Sequence, residues 1–160
     1  MKILLILMLL KAAQVQAQER WWKPTKKEWL TYPLFALSGT AKAYHEATAH
    51  YKLGKGNEFV DITLSFTRKY KDFAHGDFRA KYFGSKTFLV WTTDFLHLTS
   101  MIDVTSFGTG VAINFADIKQ ELKLYPKRQR WLVIGTRKIA YPMLIRALIF
   151  EGIFKSLNIK

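Results

Sequence analysis

Apolar residues in this chain come in runs of about 15 to 20, and the polar residues that interrupt them fall at helical rather than strand spacing. Thr25 and Glu28 have the T-x-x-E spacing of a capping box. This predicts a helix from Lys26 to about Tyr51, with Pro33 kinking it or setting a later start. Its middle carries Ser38, Gly39, Thr40 and Ala41, small enough to let another helix approach closely. Leu53-Gly54-Lys55-Gly56-Asn57 reads as a turn. Residues 58–66 (EFVDITLSF) fit either a short strand or an amphipathic helix. A basic, aromatic connection follows, from Arg68 to Phe83, turning at His75-Gly76-Asp77.

Lys81–Asp103 is the stretch that stands apart. Ser85 is placed to cap a helix that is apolar on nearly every side. Thr87, Val90, Asp94, His97 and Met101 would share one face, and Phe88, Trp91, Phe95, Leu98 and Ile102 another. Gly108 and Gly110 then suggest a bend between two apolar pieces. As a lone G-x-G they lack the rest of a dinucleotide fingerprint. Residues 120–130 read as a basic linker stopped by Pro126. Trp131–Leu157 is a long apolar helix kinked at Pro142 and carrying Arg137, Lys138, Arg146 and Glu151. The fold class is therefore mainly α: a compact helical bundle with kinked apolar helices, membrane-associated or partly membrane-embedded.

Composition narrows the setting. Of 160 residues, 49% are hydrophobic and 15% aromatic, which excludes a disordered chain. The formal charge of +13 calls for an anionic partner, and the lack of cysteine excludes disulfides, thiolate catalysis and zinc–thiolate sites. Met1–Lys2, the apolar run Ile3–Leu10 and the small-residue pattern Val15-Gln16-Ala17 have the form of a signal peptide over 1–17; the alternative is a short uncleaved anchor. Residues 18–160 then form a single helical domain. An exported chain has little access to nucleic acid, so anionic membrane lipid or another envelope component is the expected partner. Trp21-Trp22, flanked by Arg20 and Lys23, suits a membrane–water interface or an arm tucked onto the core.

The apolar pieces at about 29–45, 87–103, 105–118 and 131–150 could be drawn as membrane spans. The 52–86 loop, with eight Lys and Arg, would then lie inside. Every such span carries polar or ionisable residues, and a bundle that lies on or partly in the membrane accounts for the same pattern at lower cost.

Candidate chemistry rests on four side chains. Asp94 and His97 stand where a core helix would carry Leu or Ala, and burying them is costly unless they are paired or liganded. They are the candidate catalytic pair, with Asp94 orienting His97 as a general base. Glu46 and His50, at i and i+4, could join Asp94 and His97 around a divalent metal, or else form a solvated helix end. His45-Glu46 with His50 fails the H-E-x-x-H zinc motif, because its histidines are five residues apart.

The run Phe83-Gly84-Ser85-Lys86-Thr87-Phe88-Leu89-Val90-Trp91-Thr92-Thr93-Asp94, with His97 and Leu98, resembles a family of small bacterial envelope proteins, and Arg68-Lys69-Tyr70-Lys71 resembles the basic loop preceding that segment. The resemblance implies export to the periplasm or inner membrane of a bacterium and supplies no activity. A relation to small periplasmic proteins opening with an Asp-Lys…His motif is weaker, since Thr25-Lys26-Lys27 lacks the aspartate. Three functions are compatible with these residues. The first is an envelope structural or interaction protein with a basic, aromatic surface toward anionic lipid. The others are a membrane-associated, metal-dependent hydrolase using Asp94/His97 with Glu46/His50, and a basic binding module for an acidic polymer.

Overall fold

The structure, a computed structural model, describes residues 21–157 apart from 83, 84, 86 and 88, with the side chains of 65–68 also outside the description. The expected signal segment at 1–17 lies outside the described residues. Helix α1 runs Lys26–Tyr51. The capping box closes in both directions, with the Glu28 N–H donating to Thr25 Oγ1 at 3.2 Å and the Thr25 N–H donating to Glu28 Oε2 at 2.6 Å. Pro33 stays inside the helix on its exposed side. Lys52, in the left-handed region with φ 55°, ends it.

Residues 58–66 resolve toward helix: Asp61 caps α2, Ile62–Lys69, by accepting from the Thr63 N–H at 2.8 Å. Just beyond lies an antiparallel hairpin of β1 (Tyr70–Asp72) and β2 (Asp77–Ala80). Gly76, with φ 78°, makes its turn.

Two expectations are corrected along the central stretch. The helix starts at Phe95 rather than after Ser85, and a 3-10 turn, Val90–Thr92, precedes it. Asp94 is the cap of this helix, α3 (Phe95–Phe115), and not an interior residue; it outcompetes Ser85 because a carboxylate at that position accepts the His97 N–H at 2.9 Å. Ser85 instead closes a local turn, accepting from the Tyr82 N–H at 3.1 Å. The bend expected at Gly108 and Gly110 is absent, since α3 passes straight through both. Packing explains Gly110: a Cβ there would come within 3.0 Å of the Phe35 ring.

The basic linker is partly helical, as α4 (Ile118–Lys123) and α5 (Lys127–Leu132) around Pro126. A π-helical segment, Val133–Ala140, then leads into α6, Tyr141–Ser156. Pro142 supplies a cause for the widened turn. It has no N–H to return to the preceding turn, and the Lys138 carbonyl accepts instead from Asn114 Nδ2 at 3.3 Å. Helix α1 is the central element, packed against α3 on one side and α6 on the other. Ser38 bonds to Asp103 and Tyr44 stacks edge-on with Phe95, so α3 is antiparallel to α1. Glu28 meets Arg137 and Tyr51 meets Phe154, so α6 is parallel to it. Gly39 is where α1 and α6 come closest; a Cβ there would lie 2.5 Å from the Arg146 carbonyl oxygen.

The interior is unusually polar, and several large apolar side chains lie on the exterior. Among the described residues, the buried hydrophobic set is Tyr32, Phe35, Ala41, Ala43, Ala47 and Val133. The buried polar and charged set is twice as large and includes Glu28, Asp94, Asn114, Arg137 and Lys138. The inward face of α3 is Thr99, Ser106, Gly110 and Asn114, while its exposed face is Met101, Val104, Thr105, Gly108, Thr109, Ala112 and Ile113, without a charge. In α1 the exposed residues beyond Lys26 are Trp29, Leu30, Pro33 and Leu37, with His50 and Tyr51 at its end; in α6 they are Met143, Leu144, Ala147, Leu148 and Ile149, followed by Glu151, Gly152, Lys155 and Ser156, while Arg146 turns toward α1. Among the described residues no helix is long and apolar enough to cross a membrane, so the drawn spans at 29–45, 87–103, 105–118 and 131–150 are not supported. Helix α6 has 16 residues, and α1 and α3 carry polar side chains along their length.

Candidate functional site

Three polar clusters are spaced along α1, the outer two roughly 25 Å apart by helical rise. At the start of α1, Glu28 faces two consecutive cations from the π-helical segment. Its Oε2 accepts from Arg137 Nε at 3.0 Å and Nη2 at 2.9 Å, and its Oε1 lies 2.7 Å from Lys138 Nζ. Glu121 of α4 closes the ring, pairing with Arg137 and, at 2.6 Å, with Lys138. Arg137 also donates to the Tyr125 hydroxyl at 2.8 Å. Two acids against two bases make the ring neutral. Burial pushes the Glu28 carboxyl up, but Lys138, the Thr25 N–H and Arg137 together hold it below its ordinary value. Neighbouring Tyr32 is buried with no hydrogen-bond partner for its hydroxyl among the described residues, and burial beside Glu28 and Tyr141 pushes its phenol up to about 12.

The middle cluster joins the three main helices. Arg146 of α6 donates through Nε to Ser38 Oγ at 2.8 Å and through Nη2 to both Asp103 oxygens at 3.1 Å, and Ser38 donates to Asp103. The Arg146 guanidinium also lies 5.4 Å from the centre of the Phe107 ring. These contacts join three helices at one part-buried polar point.

The third cluster holds the pair singled out in the sequence. Asp94 is fully buried, and His97 Nδ1 lies 2.7 Å from its Oδ1. Lys69 Nζ, at the end of α2, lies 3.6 Å from Asp94 Oδ2 and 3.4 Å from His97 Nε2. Burial pushes Asp94 up, and the His97 N–H and imidazole, with Lys69, bring it below its ordinary value. The Phe95 N–H donates to the Phe59 carbonyl at 2.9 Å, tying this helix start to the loop after α1. Asp94 and His97 are thus brought together as expected, through an N-cap rather than a helix face.

Glu46 and His50 do not join them. Glu46 is held by Lys42 and by His50 Nε2 at 3.2 Å, and Lys42 keeps its carboxyl below the ordinary value. His50 is largely exposed, which is the solvated helix end. His45 Nδ1 contacts the Leu96 carbonyl at 3.2 Å, beside the pair rather than in it. Among the described residues no group of three or more His, Asp or Glu is placed to hold a metal ion, so the four-ligand site is not assembled. As an acid–base unit, Asp94 would orient His97 for proton exchange, but the hydroxyl beside Asp94, Thr93 Oγ1 at 3.4 Å, donates to the Val90 carbonyl and is a poor nucleophile candidate.

Sequence reasoning missed the Glu28–Arg137–Lys138–Glu121 ring. Its signal was present: adjacent Arg and Lys four residues before a proline, inside an apolar helix. No family model matches the chain, and neither a curated protein nor a solved structure shows significant similarity to it.

Proposed function

We propose that this chain is a membrane-associated structural or interaction protein of the cell envelope, a helical bundle that buries a set of paired charges and rests its exposed apolar side chains in the apolar part of a lipid layer. The observation that carries this reading is a buried set that is mostly polar or charged beside large apolar side chains left exposed. In water, an interior of Glu, Arg, Lys, Asp and Asn beside an exterior of Trp29, Leu30, Val104, Trp131, Leu144 and Leu148 would leave folding with little apolar burial to drive it. Against lipid the same arrangement is favourable, since polar groups satisfy one another inside and apolar groups meet hydrocarbon outside. The three clusters then act as register clamps, Asp94–His97–Lys69 among them. Basic residues at the start of α1 and around α4 and α5 would meet anionic headgroups.

Membrane fractionation tests this. The protein is expected to resist carbonate and to leave the membrane only with detergent, in wild type and in the Asp94→Ala/His97→Ala variant alike if that variant folds. Release of wild type by carbonate or salt would contradict contact with hydrocarbon.

A further inference from the structure

The end of the bundle where α1 begins carries an open cleft of about 320 Å³ lined by Lys23, Pro24, Thr25 and Tyr125. We propose that this cleft is a binding site for the phosphodiester headgroup of an anionic phospholipid; the inference rests on the membrane reading above and names the lipid class it prefers.

Charge is the first argument. Lys23, Lys26, Lys119, Lys123, Lys127 and Arg128 are all exposed at this end, whereas exposed Asp117 is already paired with Lys27 at 3.1 Å. The second is the cleft's donors. The Tyr125 hydroxyl accepts from Arg137 at 2.8 Å, which leaves its own O–H as a donor. Arg137 itself is neutralised by Glu28 and Glu121, so Lys23 supplies the cleft's charge. Its ammonium lies 5.3 Å from the centre of the Trp22 ring, a position that keeps it beside an interfacial aromatic. The third is the apolar exposure on the elements that bear the cleft. Leu124, next to Tyr125, is 78% exposed, and in the helix that Thr25 caps Leu30 is 77% exposed and Trp29 is exposed as well. Exposed apolar side chains on the same elements as a basic cleft suit a ligand with both a headgroup and acyl chains. A volume of this order is also within the range of small-ligand clefts.

The test uses the full chain with vesicles of phosphatidylcholine, alone or doped with phosphatidylglycerol, and compares Lys23→Gln with Lys127→Gln. Both remove one exposed charge from the same end, and only Lys23 lines the cleft. General surface electrostatics weakens binding by about fivefold per basic residue. A charge-assisted bond in the cleft raises the Lys23→Gln loss to about thirtyfold, specifically on the doped vesicles. Tyr125→Phe, checked for folding by circular dichroism, is expected to lower the phosphatidylglycerol preference without changing binding to phosphatidylcholine alone. Equal losses for the two lysine variants would overturn the site, as would displacement by inorganic phosphate as effective as that by soluble short-chain phosphatidylglycerol. Wild type that stays with phosphatidylcholine vesicles while showing either result would retire the cleft and leave the membrane reading standing. Wild type that binds neither vesicle would retire both.

Discussion

Replacing Glu28 with Gln keeps the side chain's shape and removes one of the two negative charges that face Arg137 and Lys138. The three contacts it weakens are the two guanidinium bonds at 2.9 and 3.0 Å and the ammonium contact at 2.7 Å. The amide oxygen of the substituted side chain can still accept from the Thr25 N–H, so the helix cap survives and the effect isolates charge. Glu121 alone would then face two buried cations. Removing one partner of a buried ionic network costs about 3–5 kcal/mol, because the remaining charge is left uncompensated. For a chain of this size that corresponds to a fall in Tm of about 10–15 °C. Thermal unfolding followed by circular dichroism in a fixed detergent measures it. The double variant Glu28→Gln/Lys138→Met restores a neutral ring, so its cost should fall short of the sum of the single variants by at least about 1 kcal/mol. Acid adds an independent check. The folded pKa of Glu28 is depressed, so its stabilisation is complete above the unfolded carboxylate value near about 4.3 and is lost as pH falls through the lower folded value. Wild type should therefore lose stability below about pH 4 more steeply than Glu28→Gln. Additive single variants, or a Glu28→Gln cost below about 1 kcal/mol, would refute the reasoning.

Two further results are expected from the same assay. Asp94→Asn keeps an N-cap acceptor and should cost about 1 kcal/mol, whereas Asp94→Ala loses the cap as well as the His97 and Lys69 contacts and should cost about 2–3 kcal/mol. Equal costs would mean that capping contributes nothing there. Alanine at three glycines should separate by environment: Gly39→Ala most destabilising, Gly110→Ala less so because a ring can shift, and Gly108→Ala stabilising by about 0.5–1 kcal/mol, since a Cβ there meets nothing within 4 Å. A Gly39→Ala variant as stable as wild type would contradict the close α1–α6 approach.

Local signals carried the parts of the fold that local chemistry decides. Thr25-x-x-Glu28 located the start of α1, and the small residues at Ser38 and Gly39 marked where α6 crosses closely. Where tertiary packing overrode propensity, sequence reasoning erred: Gly108 and Gly110 look like a bend until Phe35 is seen against Gly110. The start of α3 was misplaced because Ser85 and Asp94 are both good caps, and the ion pairs with His97 and Lys69 that favour Asp94 come partly from another helix. The Asp94–His97 pair was legible from its spacing. The Glu28–Arg137 contact joins residues 109 positions apart and had no local signature beyond the cationic pair preceding Pro142. Glu46 and His50 showed the reverse, a correct local pair extended to partners it does not reach.

The central claim is that lipid covers the uncharged outward face of α3. The chain has no cysteine, so a spin label at Val104→Cys, Gly108→Cys or Ala112→Cys is unique in each variant. Collision rates with oxygen, which partitions into hydrocarbon, and with a water-soluble nickel chelate report which solvent each label meets. In phosphatidylcholine–phosphatidylglycerol vesicles the three labels should be dominated by oxygen, while a label at exposed Lys71→Cys on the hairpin should meet the chelate. Nickel-dominated collisions at Val104, Gly108 and Ala112, equal to those at Lys71, would show that α3 faces water and that the account is wrong.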